Sequence, residues 1–541
     1  MSKRALNQQI SRRKALAYTG GLAATTAVAS GFLHPARAQE PAASPAADTA
    51  YGATPERIAA ACDQIGEFVT NLQEQVGVPG IALSVVYRDD VALVAGFGER
   101  AIGGNEPVDG DTVFQLASVS KSLAATTVAA AIGDGAATWD TRIVDLDATF
   151  AMSDPWITNE VTVRDLFSHR SGMQDHGGDD LEDLGYDRAE VLHRLRYLQP
   201  GGRFRDHYAY TNFGLTAAAV AVAKSAGMEW EDLAATRIYG PAGMTSTSSR
   251  FDDYIAAANR AVPHVPVDGA YVAKYQRQPD AQSPAGGVSS TVTDLAQWMR
   301  LVLGNGSLDG KEIVSPDALG ETFRPHIAST PAANPLYDRT SFYGLGWNVS
   351  YDAGGQVQLG HSGAFALGAG TAVYLRPSQD FGIVVLSNAQ ANGVAESIAL
   401  AFIDLATTGA IANDYFAILE PIFAEQMAAK YGRDVDYSVD PPDGVAALPL
   451  DAYVGTFEND YYGQATVAID GDALVLHLGP DQTAYSMRHY SHDTFLFQPI
   501  GENAGGESAV SFTIEPNGLA GAVTIEILDL SHQGTFKRSE A

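Results

Sequence analysis

Residues 113–132 read VFQLASVSKSLAATTVAAAI, in which a short strand-like run passes directly into an alanine-rich stretch that predicts a buried helix. The tetrapeptide Ser118-Val119-Ser120-Lys121 lies at this junction, so a hydroxyl and an amine stand one turn apart on one face of the helix. A neutral amine in that place can take the proton of the hydroxyl, and the helix N-terminus favours a nearby anion by about 0.3–1 kcal/mol. The segment therefore predicts a strand-to-helix junction that carries a candidate nucleophile, Ser118, and a candidate proton acceptor, Lys121.

The same S-x-x-K pattern occurs at Ser11-Arg12-Arg13-Lys14, inside a segment with the features of an export signal. Basic residues that include the twin arginines precede a weakly apolar run over residues 15–33, and Ala36-Arg37-Ala38 supplies a cleavage site. The alternative is an uncleaved membrane anchor, but the glycines and threonines of the run make a poor spanning helix. We therefore expect a twin-arginine signal peptide over residues 1–38, a periplasmic or secreted mature protein and no stable membrane anchor.

The chain has a strong excess of acidic residues, with 64 Asp and Glu against 34 Lys and Arg and a net charge of −30. Removing residues 1–38 takes away six basic and no acidic side chains, which leaves a net charge of about −36. Nucleic acid and anionic lipid would be repelled, so neither is expected as a partner. Solubility in a salty medium explains the charge more simply than steering of cationic substrates does.

Cys62 is the only cysteine of the chain, which excludes an internal disulfide. A thiol nucleophile there would lack supporting residues. An exported protein without disulfides depends on core packing or on oligomerisation, so a homo-oligomer is among the expected states.

The middle of the chain predicts an α+β fold. An amphipathic helix over residues 56–74 precedes a hairpin over residues 80–87 and 91–97 that turns at Asp89-Asp90. Residues 118–303 are mainly helical in pattern, and strand-like runs return at residues 343–350, 370–375 and 382–387. Strands at both ends of a segment with helices between them indicate one antiparallel sheet flanked by helices, with a helical insertion.

The chain changes character after a helical stretch over residues 415–431 and a break at residues 440–443. Seven or eight short strand-like runs follow, which predicts a small antiparallel β-barrel of the lipocalin-like kind. We expect this barrel to be an interaction or access-limiting module, because its His489, His492 and Asp493 fit a polar loop better than a metal site. The predicted organisation is a signal peptide at 1–38, a linker at 39–54, a main domain at 55–405, a helical linker at 406–445 and the barrel at 446–541. The predicted barrel strands cover residues 453–457, 465–469, 474–478, 494–497, 509–514, 523–528 and 535–536.

Two further motifs give the S-x-x-K pattern its context. Tyr210-Thr211-Asn212 lies in a predicted loop before an apolar run, where a phenol and an amide can converge on a substrate. His361-Ser362-Gly363 precedes the predicted strand at residues 370–375, where Gly363 would permit close approach by a substrate backbone and the next amide could help hold an oxyanion. Each motif alone also fits a structural role: a helix cap, a core tyrosine or a structural histidine.

Together these motifs resemble those of the serine hydrolases of the class C β-lactamase and penicillin-binding-protein superfamily (S12-type peptidases). The S-x-x-K, Y-x-N and H-x-G motifs of that family correspond to Ser118 and Lys121, Tyr210 and Asn212, and His361 and Gly363. The resemblance covers roughly residues 55–405, and the tail resembles the barrel of a branch that includes peptidases acting on D-amino-acid-containing peptides. Further matching stretches are residues 161–173, 238–245, 283–298 and 344–347.

The resemblance implies a β-lactamase/transpeptidase-like fold and acyl transfer through an acyl-enzyme on Ser118. Lys121 and Tyr210 would move protons, and either a neutral Lys121 or a Tyr210 phenolate would be the base. Asn212 would orient the substrate amide, and His361 would bind its polar end. The backbone amides of Ser118 and Ala364 would form the oxyanion hole.

The resemblance implies no metal and no cofactor. His169, His176, Asp179 and Asp180 look superficially like metal ligands, but a loop of the family accounts for them.

Two departures from the family pattern affect the expected substrate. The third motif carries His361 where most β-lactamases carry Lys, which is more typical of D,D-peptidases, aminopeptidases and esterases. The stretch over residues 200–210 is also longer than the compact family form, which leaves the rim of the cleft undefined. Three hypotheses follow: a peptidase or amidase on small or D-residue-containing peptides, a carboxylesterase or weak β-lactamase with the same site, and a non-catalytic penicillin-binding sensor.

Overall fold

The computed structural model describes residues 52–334, 338–352, 354–441 and 444–539. The predicted signal peptide and residues 39–51 of the predicted linker lie outside these described residues, as do Pro442 and Asp443 of the predicted break. Within the described ranges, no helix has both the length and the apolar character needed to cross a bilayer.

The structure is built from helices and strands that alternate unevenly along the chain. The helices are α1 Pro55–Val76, α2 Ser120–Gly133, α3 Ile143–Leu146, α4 Pro155–Glu160, α5 Val163–Phe167, α6 Asp179–Asp183, α7 Arg188–Arg194, α8 Asn212–Ser225, α9 Trp230–Ala234, α10 Phe251–Ala256, α11 Ser283–Gly286, α12 Val292–Leu303, α13 Pro316–Thr322, α14 Val394–Thr408 and α15 Tyr415–Met427. The strands of the first part are β1 Gly80–Tyr87, β2 Asp90–Gly98, β3 Phe114–Gln115, β4 Val265–Val267, β5 Ala270–Val272, β6 Ser289–Ser290, β7 Ser307–Leu308, β8 Lys311–Glu312, β9 Ile327–Thr330, β10 Ser341–Tyr343, β11 Asn348–Tyr351, β12 Val357–Phe365, β13 Ala369–Arg376 and β14 Phe381–Ser387. The strands of the second part are β15 Gly455–Asn459, β16 Gly463–Asp470, β17 Ala473–Leu478, β18 Thr483–Ser491, β19 Thr494–Phe497, β20 Ser508–Ile514, β21 Ala520–Ile525 and β22 Thr535–Arg538.

One eight-stranded antiparallel sheet forms the centre of the first part, in the order β2-β1-β14-β13-β12-β11-β10-β9. The predicted sheet, made from strands at both ends of a helical insertion, is therefore confirmed. The β1–β2 hairpin turns at Arg88 and Asp89, one residue earlier than predicted, with φ values of 51° and 66°. Two successive left-handed residues suit a tight hairpin because the turn then follows the twist of its strands.

Helices cover both faces of this sheet, and each face has its own apolar core. On one face, α1, α14 and α15 bury side chains such as Ile65, Phe402 and Leu419 against β1, β13 and β14. On the other face, α2, α8 and α12 pack together, and Trp298 of α12 stacks on Trp347 with ring centroids 5.5 Å apart. The helix that carries the S-x-x-K motif thus lies in a closely packed layer.

The second part is a closed barrel of eight antiparallel strands, β15 to β22. It closes because β22 pairs back onto β15, with Phe457 opposite Arg538. The predicted barrel is confirmed, but the predicted strands omit β18, Thr483–Ser491, in which only Tyr485 and Met487 are buried and the apolar alternation is short. We call this barrel (residues 455–538) the barrel and the described residues up to 408 the main unit.

One prediction about the main sheet is wrong in detail, and another is correct but incomplete. The strand-like run over residues 343–350 is two strands, because Gly346 takes a φ of 73° in the turn between β10 and β11. The H-x-G motif does not merely precede a strand, since His361 and Gly363 lie within β12. Glycine and polar residues of β12 weaken its strand pattern, although it is paired on both sides, with β11 and β13.

Candidate active site

Ser118 lies on a 3₁₀ turn, Ala117–Val119, between β3 and α2. Ala117 adopts a φ of 46°, which is uncommon for a residue with a Cβ, and so bends the chain sharply before Ser118. The Thr371 hydroxyl of β13 donates to the Leu116 carbonyl at 2.7 Å and ties this bend to the sheet. The junction predicted from residues 113–132 is present, and the sheet holds it in place.

Lys121 is buried and makes three contacts through its Nζ atom. Nζ lies 3.0 Å from Ser118 Oγ, 2.6 Å from Asn212 Oδ1 and 2.9 Å from the Ala285 carbonyl oxygen. Burial lowers the pKa of Lys121 to about 7, against the attraction of the Asp179 carboxylate, which raises it. A substantial neutral fraction of Lys121 is therefore available near neutral pH.

Tyr210 completes the contacts to the Ser118 hydroxyl. Its hydroxyl donates to Ser118 Oγ at 2.8 Å, and Lys121 Nζ lies 4.6 Å from the centre of the Tyr210 ring. Burial raises the pKa of Tyr210 well above its ordinary value. The same desolvation that favours a neutral amine thus disfavours a phenolate, so of the two candidate bases the environment favours Lys121.

The loop over residues 175–179 holds the Y-x-N motif from both sides. Asp175 accepts from the Tyr210 amide at 2.8 Å, and the His176 amide donates to the Tyr210 carbonyl at 2.7 Å. Asn212 Nδ2 donates to Asp179 Oδ2 at 2.9 Å, and this oxygen also lies 2.7 Å from His176 Nδ1. Asn212 therefore links Lys121 to Asp179, and its side chain is fixed at both ends.

All four residues that superficially resemble metal ligands have other partners here, and that of Asp180 is the Tyr462 hydroxyl, 3.4 Å from Asp180 Oδ2. His169 Nδ1 accepts from the Thr211 amide at 3.2 Å, while His176 and Asp179 contact each other. Within the described ranges, no three or more His, Cys, Asp and Glu side chains come together in a way that could hold a metal ion. The sequence singled out this loop, but gave no sign that it contacts Tyr210 and Asn212.

Gly363 is required by a close approach of backbone to backbone. A Cβ at this position would lie 2.3 Å from the Leu116 carbonyl oxygen and 3.0 Å from the Ser118 nitrogen. Gly363 therefore makes room for the turn that carries Ser118, and its expected close approach to a substrate backbone stays a prediction. Ala364, the next residue, lines the same cavity as Ser118.

His361 is buried, and both of its ring nitrogens are bonded within the protein. Nδ1 donates to the Ser362 carbonyl at 2.7 Å, which leaves Nε2 to accept from the Tyr343 hydroxyl at 2.9 Å. Burial and the repulsion of Lys121 lower the pKa of His361 to about 3, so its ring is neutral at physiological pH. Its predicted contact with the substrate remains a prediction.

Aromatic rings pack against the side chain of Tyr210. The His169 ring lies 4.5 Å from the Tyr210 ring and 4.7 Å from that of Tyr343, between centroids. Tyr343 in turn contacts His361 edge to face, so tilted and edge-on ring contacts join the Y-x-N and H-x-G motifs. Side chains packed in this way have little freedom to change rotamer, which keeps the Tyr210 hydroxyl on Ser118.

Ser118 opens into a cavity of about 1410 Å³ that the main unit and the barrel line together. Tyr210, Asn212 and Ala364 lie on the side of the main unit. Tyr461 and Glu502 are among the barrel residues that line it. The sequence predicted a barrel, but no residue pattern indicated that barrel side chains share a cavity with the S-x-x-K motif.

The comparisons with known proteins agree with this arrangement of sheet, helices and site. The sequence model of the Beta-lactamase family matches residues 65–408, and that of a domain of unknown function, DUF3471, matches residues 440–538. The fold is that of the penicillin-binding proteins: a penicillin-binding protein homologue from Pyrococcus abyssi, whose structure is described as octameric, superposes with a TM-score of 0.54 at 19% identity, over 86% of this chain and 98% of that one. The chain belongs to the Beta-lactamase family.

Among curated relatives, Unguisins hydrolase ungD′ of Aspergillus campestris is 26% identical over 434 residues, which cover 76% of this chain and 78% of that protein. A D-aminopeptidase of Brucella anthropi is 25% identical over 314 residues, or 55% of this chain and 54% of that protein. The chain is accordingly a hydrolase of the β-lactamase and penicillin-binding-protein family.

Proposed function

We propose that this chain is an exported serine hydrolase that forms an acyl-enzyme on Ser118 and acts as a peptidase or amidase on small or D-residue-containing peptides. The observation that carries the proposal is the pair of contacts at Ser118 Oγ, with Lys121 Nζ at 3.0 Å and the Tyr210 hydroxyl at 2.8 Å. Hydroxyl nucleophiles need an adjacent base of this kind to react near neutral pH.

In the proposed reaction, Ser118 Oγ forms a bond to the substrate carbonyl carbon while neutral Lys121 takes the hydroxyl proton. The Tyr210 hydroxyl donates a proton to the leaving nitrogen as its bond to the carbonyl carbon breaks, and the Lys121 ammonium then restores the proton of Tyr210. Water releases the acyl group afterwards. The amides of Ser118 and Ala364 would hold the oxyanion, and donors of this type contribute about 2.7–4 kcal/mol each.

Asn212 is the candidate for orienting the substrate amide, because it lines the cavity beside Tyr210 and is anchored by Lys121 and Asp179. The peptide substrate is supported by the D-aminopeptidase relative and by histidine in the third motif. The cavity is large enough for more than one residue of a peptide, which agrees with this choice.

Export, domain boundaries and assembly complete the proposal. The basic and apolar pattern of residues 1–38 supports a twin-arginine signal and a periplasmic or secreted location. The family matches at residues 65–408 and 440–538 support boundaries at 55–405, 406–445 and 446–541. The octameric neighbour supports a homo-oligomer, which light scattering of the purified protein would test.

A labelling experiment tests whether Ser118 is the nucleophile. A fluorophosphonate probe is expected to label the wild-type protein and not the Ser118→Ala variant. Ser225→Ala is the matched control, since that hydroxyl donates to the Ala136 carbonyl at an exposed site, and it should label like the wild type. Labelling that persists in Ser118→Ala, or that is absent from the wild type, would refute the nucleophile and favour a non-catalytic sensor.

A substrate panel tests the choice of bond. D- and L-aminoacyl amides, short linear peptides, p-nitrophenyl esters and nitrocefin are assayed side by side with the wild type and Ser118→Ala. Cleavage of amides or peptides that depends on Ser118 is the expected result. Turnover of esters or nitrocefin without any peptide cleavage would replace the peptidase by the carboxylesterase or β-lactamase alternative.

A further inference from the structure

A barrel residue contacts the loop that holds the Y-x-N motif. The Gly178 amide donates to the Tyr461 hydroxyl at 2.8 Å, and both residues are buried. Tyr461 lies in the tight connection between β15 and β16, where its amide donates to Asn459 Oδ1 at 2.9 Å and its carbonyl accepts from Arg194 at 3.1 Å. The hydroxyl is thus presented to the loop from a rigid part of the barrel.

Gly178 is held from its other side by the helix that carries Asn212. A Cβ at Gly178 would lie 2.7 Å from the ring of Phe213, and its φ of 103° excludes most other residues. The loop is therefore pressed between Phe213 of the main unit and Tyr461 of the barrel. Its neighbours on the chain, His176 and Asp179, are the residues that fix Tyr210 and Asn212.

A second barrel residue that lines the cavity, Glu502, makes an equivalent contact. The Glu502 carboxylate of the barrel accepts from the backbone amides of Ala366 and Leu367, in the turn that follows β12. This turn comes two residues after Ala364. Glu502 is itself fixed, because Asp183 of the main unit accepts from its backbone amide at 2.9 Å.

We propose that the barrel positions the reactive groups as well as lining the cavity, with Tyr461 as the positioning residue for Tyr210 and Asn212 and Glu502 as that for the turn after Ala364. Tyr461 acts through the Gly178 amide and the loop over residues 175–179, and neither barrel side chain takes part in the bond changes. This inference rests on the proposed function of Ser118 for its kinetic readout and stands on the contacts themselves for its structural readout.

Positioning and access-limiting predict different results. If the barrel only restricted access, weakening its contacts with the main unit would speed the reaction of bulky substrates and leave the rate with small substrates unchanged. If the barrel positions Tyr210, weakening its contacts with the main unit would slow the reaction of small and bulky substrates by the same factor. The misplaced groups would then be those around Ser118, which every substrate must meet. The weakening would also change the surroundings of Lys121, since Asn212 and Asp179 lie next to it.

The test compares Tyr461→Phe with Tyr186→Phe in the full-length protein. Tyr186 is a matched control because its hydroxyl donates to the Tyr462 carbonyl at 3.0 Å, across the same interface and one residue further along. Tyr461→Phe should lower kcat by about tenfold with little change in KM, equally for a single-residue amide and a longer peptide. It should also shift the pH dependence of kcat/KM, whereas Tyr186→Phe should change neither kcat nor the pH dependence.

Hydrogen exchange supplies the readout that does not need a substrate. In Tyr461→Phe, amides over residues 175–179 and 210–212 should exchange faster than in the wild type, and those of α1 should not. Unchanged exchange in this loop, or a gain confined to bulky substrates, overturns the proposal. Fluorophosphonate labelling keeps the two ideas apart: an unlabelled wild type refutes the nucleophile, whereas a labelled wild type with an unaffected Tyr461→Phe refutes the positioning.

Glu502→Gln is the second variant, in case loss of the Tyr461 hydroxyl is absorbed by the loop. Glutamine keeps one oxygen acceptor but cannot serve Ala366 and Leu367 as a carboxylate does. A smaller drop in kcat, again equal for short and long substrates, supports the second contact. An unchanged kcat together with unchanged exchange over residues 364–367 refutes it.

Discussion

The main sheet and the barrel each have eight strands, yet they contribute differently to the shared cavity. The open sheet needs helices on both faces to bury its apolar residues, and one of those helices begins beside Ser118. The barrel closes on itself and needs no such layer. Its Tyr461 and Glu502 instead accept from backbone amides of the main unit. This difference agrees with the proposal that the main unit carries the reacting side chains and the barrel holds the loops around them in place.

The largest expected effect comes from removing the base in the main unit. Lys121→Met keeps the length of the side chain but cannot accept the proton of Ser118. We expect the acylation rate to fall by at least about 10³-fold, near the upper end of what general-base catalysis contributes. Single-turnover kinetics would measure it. A fall of less than tenfold would contradict the role of Lys121 and return Tyr210 as the candidate base.

The next effect comes from the contact between the sheet and the nucleophile turn. Gly363→Ala places a methyl group 2.3 Å from the Leu116 carbonyl oxygen, so the turn that carries Ser118 must move. A displacement of this size is expected to lower kcat by about 100-fold. In the control Gly320→Ala, the new methyl group in α13 meets open space and should raise stability by about 0.5–1 kcal/mol without changing kcat. Equal kcat in Gly363→Ala and wild type would show that the turn tolerates the shift.

Below the pKa of Lys121, kcat/KM is expected to change by about tenfold per pH unit. In the proposed mechanism the neutral form of Lys121 is the base, and its pKa is about 7, so kcat/KM should rise with pH up to about 7 and level off above it. Titration of His361 adds no second change to the pH–rate profile near neutrality, since its pKa is about 3. A profile that rises only above pH 9 would indicate a tyrosine base instead. Initial rates between pH 5 and 10 would decide between them.

A smaller effect is expected from Asp179, which is linked to Lys121 through the side chain of Asn212. Asp179→Asn removes the negative charge that raises the pKa of Lys121 and leaves an oxygen to accept from Asn212. The rising limb should move to lower pH by about one unit. Asp145→Asn, a change of the same kind at an exposed carboxylate that pairs with Arg142, should leave the limb in place. A limb that moves to higher pH in Asp179→Asn would contradict the electrostatic account.

The smallest effect is expected on the outer surface of the barrel. Arg488 pairs with Glu507 at 2.7 Å where both side chains are partly exposed. A double-mutant cycle over this pair should give no more than about 1 kcal/mol, and the activity of Arg488→Met should equal that of the wild type. Lost activity in Arg488→Met would mean that activity depends on the whole barrel and not only on its contacts with the main unit.

Sequence patterns predicted the architecture and the three motifs because these depend on local order. The strand before Ser118, the alanine-rich helix and the short barrel strands each have a signal within about 20 residues. The supporting contacts have no such signal. Tyr461 lies 283 residues from Gly178 in the chain, and Glu502 lies 136 residues from Ala366. Their partners are backbone amides, which leave no mark on residue type.

The role of Gly363 shows the same limit at one position. The sequence predicted that Gly363 permits close approach by another backbone. Which backbone approaches it depends on how β12 packs against the turn at Leu116, and this is not encoded locally. Likewise, the preference for Lys121 over Tyr210 as the proposed base depends on the extent of their burial, which residue type alone does not give. The sequence could name both candidate bases, and only packing distinguishes their pKa values.

The burial of Lys121 has a consequence for folding as well as for reactivity. In the unfolded chain this amine has a pKa of about 10.4, whereas in the folded protein the pKa is about 7. Between these values the unfolded chain binds the extra proton, so the contribution of Lys121 to the free energy of unfolding rises with pH across that window. Below pH 7 the buried ammonium costs the fold about 5 kcal/mol. Acidification towards pH 7 would therefore weaken the fold, and acidification below pH 7 would protonate Lys121 in the folded protein, so that it could no longer take the Ser118 proton.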